Sequence, residues 1–242
     1  MLLRRIKKHM NDQDWTAIAI DFLIVVSGVF LGIQLGNWND ERMDRLDEDK
    51  YLSRLVEDLE LTKELLESDL DWQVSNAGHL ELVLNSLRRC KLESADRDRF
   101  ALGLFVAGKF NSQFFIDKTL EELRSSGRLN VIQKEEIRRD LIDLDRSFRV
   151  NSSQMDMIEQ WAVEPLNGIQ GKTVFINLDE GSKSRSDLGW EDIEFDFSAA
   201  CRDKSFVGEI SALRSYAIEN AGRDRDLLGE TNQLLQKIEA SK

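Results

Sequence analysis

WTAIAIDFLIVVSGVFLGIQL, residues 15–35, carries one charged side chain, Asp21, and from Phe22 to Gly36 there is none. In helical form the stretch is about 31 Å long, enough to cross the hydrocarbon core of a bilayer. Trp15 and Trp38 bracket it, where indole rings anchor at the two membrane interfaces. A soluble core helix of this length would show a polar face. A cleaved signal peptide would be shorter and would end on small residues, not on Gly36-Asn37-Trp38-Asn39. The reading is one transmembrane helix over 15–36. It follows a basic tail, 1–14, and precedes a single domain, 37–242.

The tail holds Arg4, Arg5, Lys7 and Lys8, whereas the far flank mixes Arg42, Arg45 and Lys50 with many carboxylates. The positive-inside rule therefore puts the N-terminus in the cytoplasm and residues 37–242 across the membrane. Within the span, Gly28, Gly32 and Gly36 recur every fourth residue. Such a GxxxGxxxG ridge lets a second helix approach backbone to backbone. Asp21 projects within about 20–40° of that ridge at 100° per residue. It faces a partner helix as an intramembrane ionisable site, or it reaches the headgroups at the cytoplasmic end.

Composition narrows the rest. The net charge is −12, and residues 1–36 hold four basic and three acidic side chains, leaving −13 for the remainder. That excludes a basic footprint for nucleic acid. One proline, 8% aromatics and 32% charged residues favour long helices over a β-sandwich. The expected fold is all-α, a helical bundle with long, coiled-coil-like amphipathic helices and one irregular segment at about 166–200. Cys90 and Cys201 either pair in an oxidising exterior or stay as two buried thiols.

Along the chain, Leu52, Leu59, Leu66, Gln73, Leu80 and Leu87 form a heptad seam, with Val56, Lys63, Leu70, Ala77 and Leu84 as its companion. Charges such as Asp58 read as the solvated face, and Gly78-His79 as a kink. A buried helix is expected over 97–109, with Phe114 and Phe115 plugging the core after it. Thr119 and Glu122 form a capping box for a helix ending at Gly127, and Asn130 with Gln133 caps the next helix, which Pro165 stops. A strand is expected over 173–176. An extended segment follows through Trp190, Ile193, Phe195 and Phe197. The last helix, 203–239, uses Phe206, Ile210, Leu213, Ala217, Leu228, Leu235 and Ile238.

Two motifs recur together: Asp21-Phe22-Leu23-Ile24-Val25-Val26, Gly28-Val29-Phe30-Leu31-Gly32 and Asn37-Trp38-Asn39 with Arg42; and Glu122-Leu123, Ser126-Gly127, Leu129 and Ile132, followed by Ile137-Arg138. They resemble a family of bacterial single-span membrane proteins known only as a domain of unknown function. The resemblance covers most of the chain, least clearly 166–200. It implies an N-terminal membrane anchor and a helical domain, and supplies no activity; with the charge bias, the expected location is a bacterial inner membrane, N-terminus cytoplasmic and helical domain periplasmic.

Signatures of catalysis are weak. His9 and His79 are the two histidines and fall on opposite sides of the membrane, so a His-rich metal cluster and a di-iron bundle are excluded. Gly171-Lys172-Thr173 lacks the first glycine of a phosphate-binding loop, since position 166 is Leu166. Asp224, Asp226 and Gly229 open like a calcium loop, but Leu228 and Leu235 stand where oxygen ligands are needed, so the segment reads as helix surface. No cofactor and no enzymatic activity are expected. The leading expectation is an interaction module in the lipid bilayer, packed against itself or another membrane protein. An ion-coupled, stator-like subunit using Asp21 and a ligand-sensing periplasmic bundle are the alternatives.

Overall fold

The computed structural model describes residues 15–111, 113–176 and 188–241, and side chains from residue 20 onward with Asp21 excepted. The basic tail with His9, the side chains of Trp15 and Asp21, and the centre of the irregular segment lie outside the described residues. The chain is all-α apart from one two-stranded sheet. It divides into two compact units, Met1–Tyr51 and Leu52–Lys242.

Helix α1, Trp15–Arg89, makes up the described residues of the first unit and opens the second. It passes through Gly78-His79 without a break, because Leu80, Val83, Leu84 and Leu87 beyond that point are all buried. The heptad seam is realised at Leu52, Leu59, Leu66, Gln73, Leu80 and Leu87, each buried. Its companion is displaced by one residue from the expected Val56, Lys63, Leu70, Ala77 and Leu84. The column that turns inward is Leu55, Thr62, Asp69, Asn76 and Val83, with Asp69 half-buried and the others buried. The expected column is the more apolar of the two. The observed one wins because its polar members bond to a segment of chain laid along them.

Helix α2, Arg97–Val106, is buried through Phe100, Ala101, Gly103, Leu104 and Val106. It stops short of the expected 109, and Gly108 turns the chain at φ +68. Helix α3, Lys118–Ser125, ends in a Schellman motif at Gly127, φ +69. Gly127 N donates to Arg124 O at 3.2 Å and Arg128 N to Leu123 O at 2.9 Å. Neither expected capping box forms. Thr119 lies inside α3, buried, and its N–H donates to Asp58 Oδ2 at 2.8 Å, so a carboxylate from α1 satisfies that orphan donor. Helix α4, Glu135–Gln170, starts two residues after Gln133, from Lys134, with no side-chain cap.

Pro165 does not stop α4. Proline in a helix interior costs about 3 kcal/mol, but Ala162, Pro165 and Ile169 share the buried face, and that packing carries the helix on to Gln170. The irregular segment is correspondingly shorter than expected. Strand β1, Thr173–Phe175, pairs antiparallel with β2, Ile193–Phe195, with Val174 opposite Glu194. A four-residue helix α5, Phe197–Ala200, leads to α6, Lys204–Glu239. The Asp203 carboxylate caps α6 by accepting from Ser205 N and Phe206 N.

Helices α4 and α6 pack along each other. The main core joins them to the C-terminal part of α1 and to α2 through Leu80, Leu87, Phe100, Phe206, Ile210 and Leu213. Phe100 also meets Trp190, Phe195 and Phe197, so the extended segment closes one end of this core. Phe115 stacks on Phe148 with ring centroids 4.8 Å apart, as a core plug should. Phe114 is 63% exposed and plugs nothing, since adjacent residues in an extended segment face opposite ways.

Candidate functional site

The segment 109–119 runs antiparallel to α1, and the displaced column holds it there. Asn76 Nδ2 donates to Lys109 O at 3.2 Å, and Asn111 Nδ2 donates to Asp69 Oδ1 at 3.0 Å. Ile116 N donates to Thr62 Oγ1 at 3.0 Å, and Thr119 N donates to Asp58. Asp58, expected on the solvated face, is thus one end of a polar strap fastening. An extended segment packed on a helix must find partners for its own amides, and the side chains spaced along α1 provide them.

The strap also reaches α6. Gln113 Nε2 donates to Asn220 Oδ1 at 3.0 Å and to Asp224 Oδ1 at 2.5 Å. Asn220 and Asp224 are one helical turn apart and both fully buried. The expectation that Asp224 lies on a helix surface is therefore overturned. The inward stripe of α6 passes through Asn220, Asp224, Leu227 and Thr231, and Leu228 is only half-buried. Burial pushes the Asp224 carboxyl up to about 6, against the opposing pull of the Gln113 hydrogen bond and with help from the charge of Asp69. Asp69 is raised as well, by burial, with Asn111 opposing.

Arg214 on α6 bonds Glu81 on α1 at 3.1 Å, while Asp224 feels Asp69. The two helices are therefore antiparallel in this stretch, and at about 1.5 Å per residue Gln73 falls level with Asn220. Gln73, Asn76, Gln113, Asn220 and Asp224 all lie nine-tenths or more buried. Among them, Gln73 Nε2 and Oε1, Asn76 Oδ1, Gln113 Oε1, Asn220 Nδ2 and Asp224 Oδ2 have no hydrogen-bond partner. Most buried polar atoms in folded proteins are bonded, so this concentration marks the seam as the chemically unusual place in the domain. Sequence reasoning missed it. The available signal was the heptad spacing of Thr62, Asp69 and Asn76.

The other sequence-derived sites are placed as follows. Cys90 and Cys201 are joined in a disulfide, Cα–Cα 5.2 Å, tying the end of α1 to the turn after α5. The alternative of two free thiols does not hold. Gly28, Gly32 and Gly36 lie on α1 with nothing within 4 Å of where a side chain would begin. Trp38 is exposed. α1 is long and apolar enough to cross a membrane near the N-terminus, with a mean hydropathy of 1.4 over its most apolar window and none of that window buried. His79 is half-buried with Nδ1 unpartnered, its imidazole pushed toward the neutral form by burial and by Arg99. Among the described residues no three His, Cys, Asp or Glu side chains gather as a metal cluster.

No family model, no curated protein and no solved structure matches this chain.

Proposed function

We propose that the protein is a membrane-anchored helical interaction module. Its anchor lies in the lipid bilayer and packs against a second copy or another membrane protein through Gly28, Gly32 and Gly36. The observation that carries this reading is the bare apolar segment of α1. Ile20, Phe22, Leu23, Ile24, Val25, Val29, Phe30, Leu31, Ile33 and Leu35 are each more than half exposed within the chain. A continuous apolar surface of that extent needs an apolar surrounding. The disulfide supports placing 37–242 in an oxidising compartment, the periplasmic side of a bacterial inner membrane, with the N-terminus cytoplasmic. Membership in the single-span family suggested by the two motifs belongs to the same proposal.

The test is association in the membrane. In-cell crosslinking of the full chain gives a homo-oligomer or a stoichiometric partner, and Gly28→Leu with Gly32→Leu reduces it several-fold. Unchanged crosslinking in the double variant removes the ridge from the proposal. A second reading, a bundle that senses a small ligand, is favoured by the unpartnered polar atoms of the α1–α6 seam.

A further inference from the structure

The polar seam between α1 and α6 combines three features that ordinary bundle packing does not explain. The first is charge. Asp69 on α1 and Asp224 on α6 are carboxyls bonded to strap residues two apart, Asn111 and Gln113, and Asp224 is fully buried. Arg223, the adjacent cation on α6, bonds Glu219 through Nη2, and its buried Nη1 has no partner. Two like charges in a low-dielectric site repel strongly unless a cation or proton intervenes.

The second feature is the surplus of acceptors. Gln73 Oε1, Asn76 Oδ1, Gln113 Oε1 and Asp224 Oδ2 are four oxygen atoms without donors, on residues that water hardly reaches. A buried acceptor left without a donor forfeits its hydration with nothing in return. The third feature is Gln73 itself. It occupies a seam position between Leu66 and Leu80 where leucine would pack, is fully buried, and has neither amide atom bonded.

We propose that this seam is a binding site for a hard divalent cation of calcium's size, held by Asp69 and Asp224 together with the amide oxygens of Gln73 and Gln113. All four candidate ligands are oxygen donors, the set that selects hard cations over zinc or copper. Calcium accepts six to eight such oxygens in irregular geometry, whereas magnesium demands a near-ideal octahedron and keeps its waters. The Nδ2 of Asn220 and Nε2 of Gln73 are then free to orient water in the ion's shell. Two carboxylates are few for such a site, so the affinity belongs with extracellular modules, Kd about 10⁻⁴–10⁻³ M. The ion would clamp the strap, α1 and α6 together. This proposal is independent of the membrane-interaction reading.

The test uses the full chain in mild detergent, stripped with chelator, followed by thermal unfolding against CaCl2 and MgCl2. In wild type, calcium at roughly 10 mM raises Tm by about 3–10 °C, saturably, and magnesium does less. Asp224→Asn abolishes the response. Gln73→Leu, which completes the leucine seam and so keeps the fold, weakens the apparent affinity at least tenfold. The site is refuted if neither ion gives a saturable shift. It is equally refuted if both variants respond as wild type does, which would assign the effect to the acidic surface. A larger shift with magnesium than with calcium overturns the choice of ion.

Discussion

At the scale of single residues, Asp224 shows how burial rather than bonding sets a side chain's behaviour. Burial pushes its carboxyl up to about 6 in the folded protein, whereas in the unfolded chain it returns to the ordinary aspartate value of about 3.9. The folded state therefore holds the extra proton between those values, and Asp224 costs stability as pH rises through them. Complete ionisation costs about 3 kcal/mol. Asp145 works the other way. Burial opposes its charge, but hydrogen bonds from Arg124 at 2.8 Å and Arg149 at 3.1 Å outweigh it and lower its pKa. Its stabilising contribution is present at neutral pH and is lost only below the normal carboxylate range. Replacing Asp224 by Asn should thus raise stability at pH 8 by about 1–3 kcal/mol, an advantage that shrinks as pH falls from 7 toward 4. Denaturant unfolding of both proteins in chelator at pH 8 and pH 5 measures it. An Asn advantage no smaller at pH 5 than at pH 8 would show that the Asp224 carboxyl is not the titrating group.

At the scale of elements, the close approach of α2 to α1 rests on a missing side chain. A Cβ placed on Gly103 would come within 2.6 Å of Val83 Cγ2 and 3.0 Å of the His79 carbonyl oxygen. The carbonyl belongs to an intact helix and cannot withdraw. Gly103→Ala should therefore destabilise by about 1–3 kcal/mol despite alanine's better helix propensity. Gly208, inside α6 with nothing within 4 Å, is the control. Gly208→Ala should stabilise by about 0.5–1 kcal/mol, since there only propensity changes. Chemical denaturation of the two variants compares them directly.

The elements were largely legible from periodicity. The leucine seam of α1, the buried α2, the long α4 and α6, the Gly127 terminus and the strand at Thr173–Phe175 all follow from spacing and turn chemistry. What escaped was tertiary in origin. Pro165 was outvoted by its buried neighbours. Thr119 and Asn130 lost their capping roles because Asp58 on a distant helix already satisfied the first of those helix ends. The polar column of α1 could not be told from a solvated face, because what buries it is a strap that no local pattern announces.

At the scale of the whole molecule, the disulfide and the proposed membrane span together make a prediction that neither makes alone. Cys90 and Cys201 enclose a sequence separation of 111 residues, so closing the loop restricts the unfolded chain strongly, by about 2–5 kcal/mol. That contribution exists only where thiols are oxidised, the side on which the proposed topology, drawn from the charge asymmetry around the apolar stretch, has residues 37–242. The full chain expressed in a bacterium should therefore resist alkylation at both cysteines until reductant is added. A version lacking residues 1–36, retained in the cytoplasm, should alkylate at once and unfold more easily. If the cysteines of the full chain react without reductant in intact-cell lysates quenched by acid, the domain sits on the reducing side. The proposed orientation, drawn from Arg4, Arg5, Lys7 and Lys8, would then be inverted, and the disulfide would not form in the cell. Protection of both cysteines fixes orientation and covalent closure in one measurement, because a thiol pair on the cytoplasmic face has no route to either.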